Sequence, residues 1–167
     1  MKLSVFNILF LTAEANKKDQ VTKRVDKLED LWNQNMALSG LSQRRVDTFD
    51  GHFSRFAAEA KDFYKRQRDQ KGCDFPSHWK GDDDENDDLR FLFDSKDPCQ
   101  GVKQFTNQLL DWANVFCVQC RKVDEADPRP WLGRFETNIS RFANRVLAKM
   151  NEDRPELECP VYIYLGA

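Results

Sequence analysis

Residues 46–63 read VDTFDGHFSRFAAEAKDF, and their apolar positions Val46, Phe49, Phe53, Phe56, Ala60 and Phe63 follow steps of 3, 4, 3, 4 and 3. Side chains recurring every 3.5 residues line one seam of an α-helix, so this stretch predicts a helix burying a phenylalanine-rich stripe against other helices. Lys65, Arg66, Arg68 and Lys71 come next, cations suited to the negative end of a helix dipole, and Gly72 is a natural stop.

The same reading extends outward in both directions. Upstream, Val21, Val25, Leu28, Leu31, Trp32 and Met36 form one stripe of a helix expected from Asp19 to Met36; Gly40 breaks it and Ser42 can cap its successor. Downstream, Asp97-Pro98-Cys99-Gln100 has the form of an N-cap, a proline at the first helical position and a capping-box glutamine. The helix it opens carries Val102, Phe105, Leu109, Trp112, Phe116, Cys120 and Val123 on its seam. Asp127-Pro128-Arg129-Pro130 interrupts, and a fourth helix with Leu132, Phe135, Ile139, Phe142, Val146 and Met150 ends before Pro155. The expected fold is all-α, a disulfide-bonded bundle of four amphipathic helices.

Two of these helices share more than their heptads. Phe49, Phe53, Ser54, Arg55, Phe56 and Ala57 recur 86 residues later as Phe135, Ile139, Ser140, Arg141, Phe142 and Ala143, and the same offset takes Cys73 to Cys159. A heptad accounts for the apolar matches but not for Ser-Arg or the distant cysteine. The sequence therefore reads as two duplicated αα-hairpins, each needing the other to close a core. Hairpin one spans 16–73, an acidic connecting loop 74–98, hairpin two 99–159, and a short extended tail 160–167. In that tail Val161-Tyr162-Ile163-Tyr164-Leu165 alternates with period two, like an exposed strand.

The 167 residues fit one domain, and 40% hydrophobic residues with a net charge of only −2 exclude an intrinsically disordered chain. Near-neutrality also speaks against non-specific nucleic-acid binding, which rests on a large cationic excess. Seven glycines and six prolines are too few for a turn-dense sandwich.

Met1-Lys2, the apolar run Leu3–Leu11 and Ala13-Glu14-Ala15 follow the three-part pattern of a secretory signal peptide over residues 1–15, with cleavage expected before Asn16. No other stretch approaches the length of a membrane span. Five cysteines, Cys73, Cys99, Cys117, Cys120 and Cys159, fit an oxidising compartment, and Asn138-Ile139-Ser140 is a glycosylation sequon. The expected location is extracellular.

For an up-down-up-down bundle, Cys73, Cys99 and Cys159 fall at one end, while Cys117 lies 18 residues up its helix from Cys99, roughly 27 Å away. That arrangement predicts Cys73–Cys99 as one bridge and Cys159 with Cys117 or Cys120 as the other, leaving an odd thiol free or available for a disulfide-linked dimer. Cys117 and Cys120 spell CxxC, but within a helix rather than at its N-terminus, where a redox pair gains its reactive thiolate.

Chemistry-bearing patterns are sparse. The acidic run 82–88 lacks the glycine of a calcium loop, no second cysteine or histidine pair completes a zinc site, and His52 and His78 stand without a nucleophile motif. No cofactor or metal is expected, and the chain is not expected to be an enzyme. The functional expectation is a secreted protein that binds a macromolecular partner, expected to be a protein, outside the producing cell through the repeated, outward-facing Arg55 and Arg141. The alternative is a carrier whose core encloses a small hydrophobic ligand among Phe53, Phe56, Phe105 and Phe142.

Overall fold

The computed structural model describes residues 22–76, 97–123 and 127–166, apart from the Val123 side chain. The expected signal peptide over 1–15, the expected helix start at Asp19, His78, the acidic run 82–88 and the apolar patch 89–93 lie outside the described residues. The described residues form four helices, α1 (residues 22–37), α2 (Gln43–Lys71), α3 (Pro98–Val123) and α4 (Arg129–Asp153), and a 3-10 turn, Pro155–Leu157. Among the described residues there is no strand.

The ends of the helices follow local chemistry. The Ser42 hydroxyl accepts the Arg45 N–H at 3.3 Å and starts α2. Gly72, at φ 71°, ends it and returns its N–H to the Arg68 carbonyl, a left-handed turn that costs glycine nothing sterically. At the start of α3 the Asp97 carboxylate accepts the Cys99 N–H at 2.9 Å.

Contacts between helices give their directions. Lys61 of α2 pairs with Asp26 of α1 at 2.6 Å, and Phe53 stacks on Trp32, so α1 and α2 are antiparallel. Phe49 meets Phe142, Phe56 meets Phe135 and Phe63 meets Trp131, so α2 and α4 are antiparallel as well. Near the end of α1 the Asn35 amide donates to the Pro98 carbonyl at 3.2 Å, placing the start of α3 there. A β-carbon on Gly101 would collide with the Asn35 side chain, so glycine permits this close approach. The bundle is therefore up-down-down-up, with Gly72 and Asp97 at opposite ends.

This topology overturns the expected cysteine pairing. Cys73 bonds Cys120, with Cα atoms 4.9 Å apart, and Cys99 bonds Cys159, at 5.4 Å. The expected Cys73–Cys99 bridge assumed that the long connection turns back at one end. With α3 parallel to α2, Cys73 instead arrives beside the far end of α3. Each bridge ties one end of α3, and Cys117 is left unpaired and buried.

The seams meet in a core dense in aromatic rings. Trp32 lies flat on Phe53 at 4.2 Å between centroids, and Phe63 lies flat on Trp131 at 3.8 Å. Phe142 touches Trp32, Phe49, His52 and Phe56. Each fully buried ring of this kind contributes roughly 1.5–3 kcal/mol by leaving water.

Beyond Cys159 the extended tail lies along α4. Asn151 takes both main-chain groups of Cys159, and Asn144 both those of Tyr162, at 2.6–3.0 Å. The Tyr162 and Tyr164 hydroxyls donate to Asn107 and Asp111 on α3. These side chains replace a neighbouring strand: Tyr162 is buried while Val161, Ile163 and Leu165 face out, which is the period-two pattern of the sequence.

Asp50, on α2, has its pKa pushed up from 3.8 to about 6 by burial, opposed by the nearby Trp32 side chain and helped by the Asp47 charge. A carboxyl that holds its proton more tightly when folded favours the native state fully below about pH 3.8; that contribution is lost as pH rises through about 6. Asp50→Asn is therefore expected to raise Tm at pH 7 and to flatten the decline in Tm between pH 4 and 7. Thermal unfolding across that range checks this; an unchanged pH profile would show that Asp50 is not the group responsible.

Candidate functional site

The α2–α4 face is built on the paired rings beneath it. Phe49–Phe142 and Phe56–Phe135 are both edge-on contacts, at 6.1 and 6.0 Å with interplanar angles of 71° and 76°. The register they set puts His52 and Asn138 midway along the crossing. Outward from there, Arg45, Thr48, His52 and Arg55 follow steps of 3, 4 and 3 on α2, while Arg134, Asn138, Arg141 and Arg145 follow 4, 3 and 4 on α4. Each set forms a stripe along its helix.

Several contacts anchor these stripes to one face. The Arg45 guanidinium sits 6.0 Å from the Phe49 ring centre, and the His52 ring 5.9 Å from that of Phe142. His52 is held below the ordinary imidazole pKa by burial first, then by the Arg55 and Arg145 charges. It therefore adds no cation at neutral pH, and the positive charge of the face belongs to arginine. Arg45, Arg55, Arg134, Arg141 and Arg145 are all exposed. Among the described residues none of the five has a carboxylate within ion-pair distance. Glu59, one turn beyond Arg55, is the acid that continues the α2 stripe.

Arg55 and Arg141 thus both stand on exposed helix surface, flanking the same crossing. The repeated serines beside them do not share that role. Ser54 is half-buried and donates to the Glu29 carboxylate of α1, so it belongs to the α1–α2 contact, and Ser140 is also half-buried. Arg45, Arg134 and Arg145 were not singled out from the sequence, although their spacing from Arg55 and Arg141 was readable; a search for repeated Ser-Arg passes over them. Asn138 is exposed within the α4 stripe, between Arg134 and Arg141.

The four phenylalanines proposed as a ligand pocket occupy their space with other rings. Phe53 and Phe142 pack on Trp32, Phe56 packs on Phe135 and Phe142, and Phe105 is buried in the same core. Two surface depressions of about 330 and 310 Å³ lie elsewhere, one beside Lys61, Tyr64 and Arg68, the other beside Cys99, Leu147 and Tyr162. None of the four phenylalanines lines either depression.

Burial pushes the Cys117 thiol up to about 12, which keeps it protonated and poorly nucleophilic at neutral pH. Its CxxC partner, Cys120, is committed to Cys73. Inside the core, Cys117 is also badly placed for a bridge to a second chain. Among the described residues no three His, Cys, Asp or Glu side chains converge to hold a metal ion, and no helix is long and apolar enough to cross a membrane. No protein-family model, curated protein or solved structure matches the chain.

Proposed function

We propose that this is a secreted, disulfide-bonded helical protein that acts by binding a macromolecular partner outside the producing cell, through the α2–α4 face bearing Arg55 and Arg141. The observation that carries the reading is a set of five exposed arginines without carboxylate partners on a face held rigid from below by paired aromatic rings. Exposed arginines on a surface are usually balanced by nearby acids; an unbalanced set is available to a partner's anions. Two disulfides and the signal-like residues 1–15 support the extracellular location.

We further infer that the bundle arose by duplication of an αα-hairpin. The offset of 86 takes Gln43, the first residue of α2, to Arg129, the first of α4. The same offset exchanges the Phe49–Phe142 and Phe56–Phe135 contacts, as a two-fold axis near His52 and Asn138 would. The five-arginine face straddles that axis.

Charge reversal tests the binding role. Arg55→Glu with Arg141→Glu is expected to reduce capture of an extracellular partner by at least tenfold in a pull-down and to leave Tm within a few degrees of the parent. Undiminished capture would remove this face from the account. The alternative carrier role predicts a lipid-like ligand co-purifying in native mass spectrometry. The ring-on-ring packing of Phe53, Phe56 and Phe142 lends it no support.

A further inference from the structure

Resting on that binding role, we propose that the partner recognised by the α2–α4 face is an acidic polysaccharide bearing sulfate and carboxylate groups, laid along the crossing between the two arginine stripes. The charge has the sign and the distribution for a polymer. From Arg45 to Arg55 is ten residues and from Arg134 to Arg145 eleven, so each stripe extends about 15–17 Å along its helix. A single small anion cannot engage charges spread over that length, whereas a chain of regularly spaced anions can. All five cations are arginines, whose planar guanidinium donates two parallel hydrogen bonds to a sulfate or carboxylate.

The chemistry missing from this face narrows the class of polyanion. Among the described residues the large apolar side chains most exposed to solvent are Leu38, Val118, Val161, Ile163 and Leu165, and none lies on the α2–α4 stripes. The nearby rings are engaged: Trp131 stacks on Phe63 and Phe135, and His52 leans on Phe142. A single-stranded nucleic acid gains much of its affinity from bases stacked on free aromatic rings. A protein partner anchors itself with apolar or aromatic side chains in pockets. This face offers neither, so affinity must come from charge-assisted hydrogen bonds to a densely anionic, hydrophilic chain.

Asn138 belongs to the α4 stripe, and a glycan there would cover the same surface. The decisive experiment therefore uses unglycosylated protein with both disulfides intact. Its binding to immobilised heparin is measured across NaCl concentrations and compared with polyglutamate and single-stranded DNA of similar charge. The expected result is preferential heparin binding that weakens steeply with salt. Arg141→Gln with Arg145→Gln should weaken it at least tenfold. Lys23→Gln with Lys27→Gln on α1, an identical change in net charge at exposed positions, should alter it less than threefold.

The polysaccharide assignment is overturned by absent heparin binding, by equal losses in the two double variants, or by equal or tighter binding of polyglutamate or DNA. If heparin fails to bind while Arg55→Glu with Arg141→Glu still abolishes capture of another partner, the assignment falls and the binding role stands.

Discussion

Trp32→Ala is expected to lower the unfolding free energy by about 3–5 kcal/mol, the usual range for deleting a large buried ring. Trp32 is fully buried, lies flat on Phe53 and touches Phe142, so it joins α1 to both α2 and α4. Its removal leaves a cavity whose walls are other aromatic rings. Those rings are held by their own contacts, Phe142 by Phe49 and Phe56 among others, and have little freedom to collapse inward. The urea midpoint should fall sharply while helix content in the folded baseline is retained. A loss below about 1 kcal/mol would place α1 outside the core.

Loss of the Cys73–Cys120 bridge is the second large effect. The bridged cysteines are 47 residues apart in sequence, and the chain-entropy relation assigns a closed loop of that size about 4 kcal/mol. Cys73→Ser with Cys120→Ser is expected to cost about 2–4 kcal/mol, because a reduced chain also keeps some residual structure. The bridge fastens the end of α2 to the end of α3, close to Tyr64, Phe75 and Phe116, which pack on one another there. Amide exchange should therefore accelerate first at residues 64–76 and 113–123. Mass spectrometry of an unreduced digest checks the topology directly: peptides joined as Cys73–Cys120 and Cys99–Cys159 are expected, and a Cys73–Cys99 peptide would restore up-down-up-down.

The two results bear on the binding face in different ways. Trp32 supports Phe53 and Phe142 from beneath the arginine stripes, so its loss should loosen the face along with the core. The Cys73–Cys120 bridge lies at the end of the bundle away from Arg45 and Arg145, beyond the Phe63–Trp131 contact. Removing it should lower stability while partner capture at low temperature stays near normal. The comparison separates damage to the face from damage to the fold as a whole.

Much of the architecture was legible in the chain. The Phe49, Phe53, Phe56 and Phe63 steps foretold the α2 seam, Ser42 and Gly72 foretold its ends, and Asp97-Pro98 foretold where α3 begins. These features are local: a helix period, a capping oxygen and a left-handed glycine act within a few residues, so reading them requires no knowledge of distant neighbours. The candidate site was legible only in part. Arg55 and Arg141 stood out as repeats, but Arg45, Arg134 and Arg145 acquire meaning from the Phe49–Phe142 and Phe56–Phe135 register, which brings two helices distant in sequence side by side.

By itself, then, the sequence determined that the chain forms helices and which side of each is apolar. Only the tertiary structure decided how the hairpins are joined, and therefore which cysteines bond. The physical reason is reach. The connection from Gly72 to Asp97 can extend about 85 Å, whereas α2, at 29 residues, is only about 43 Å long, so the chain could return α3 to either end of the bundle. No local signal separates those two routes. Packing of Asn35 against Gly101 and of Phe63, Tyr64 and Phe75 against Phe116 selects one of them, and the disulfides record that choice.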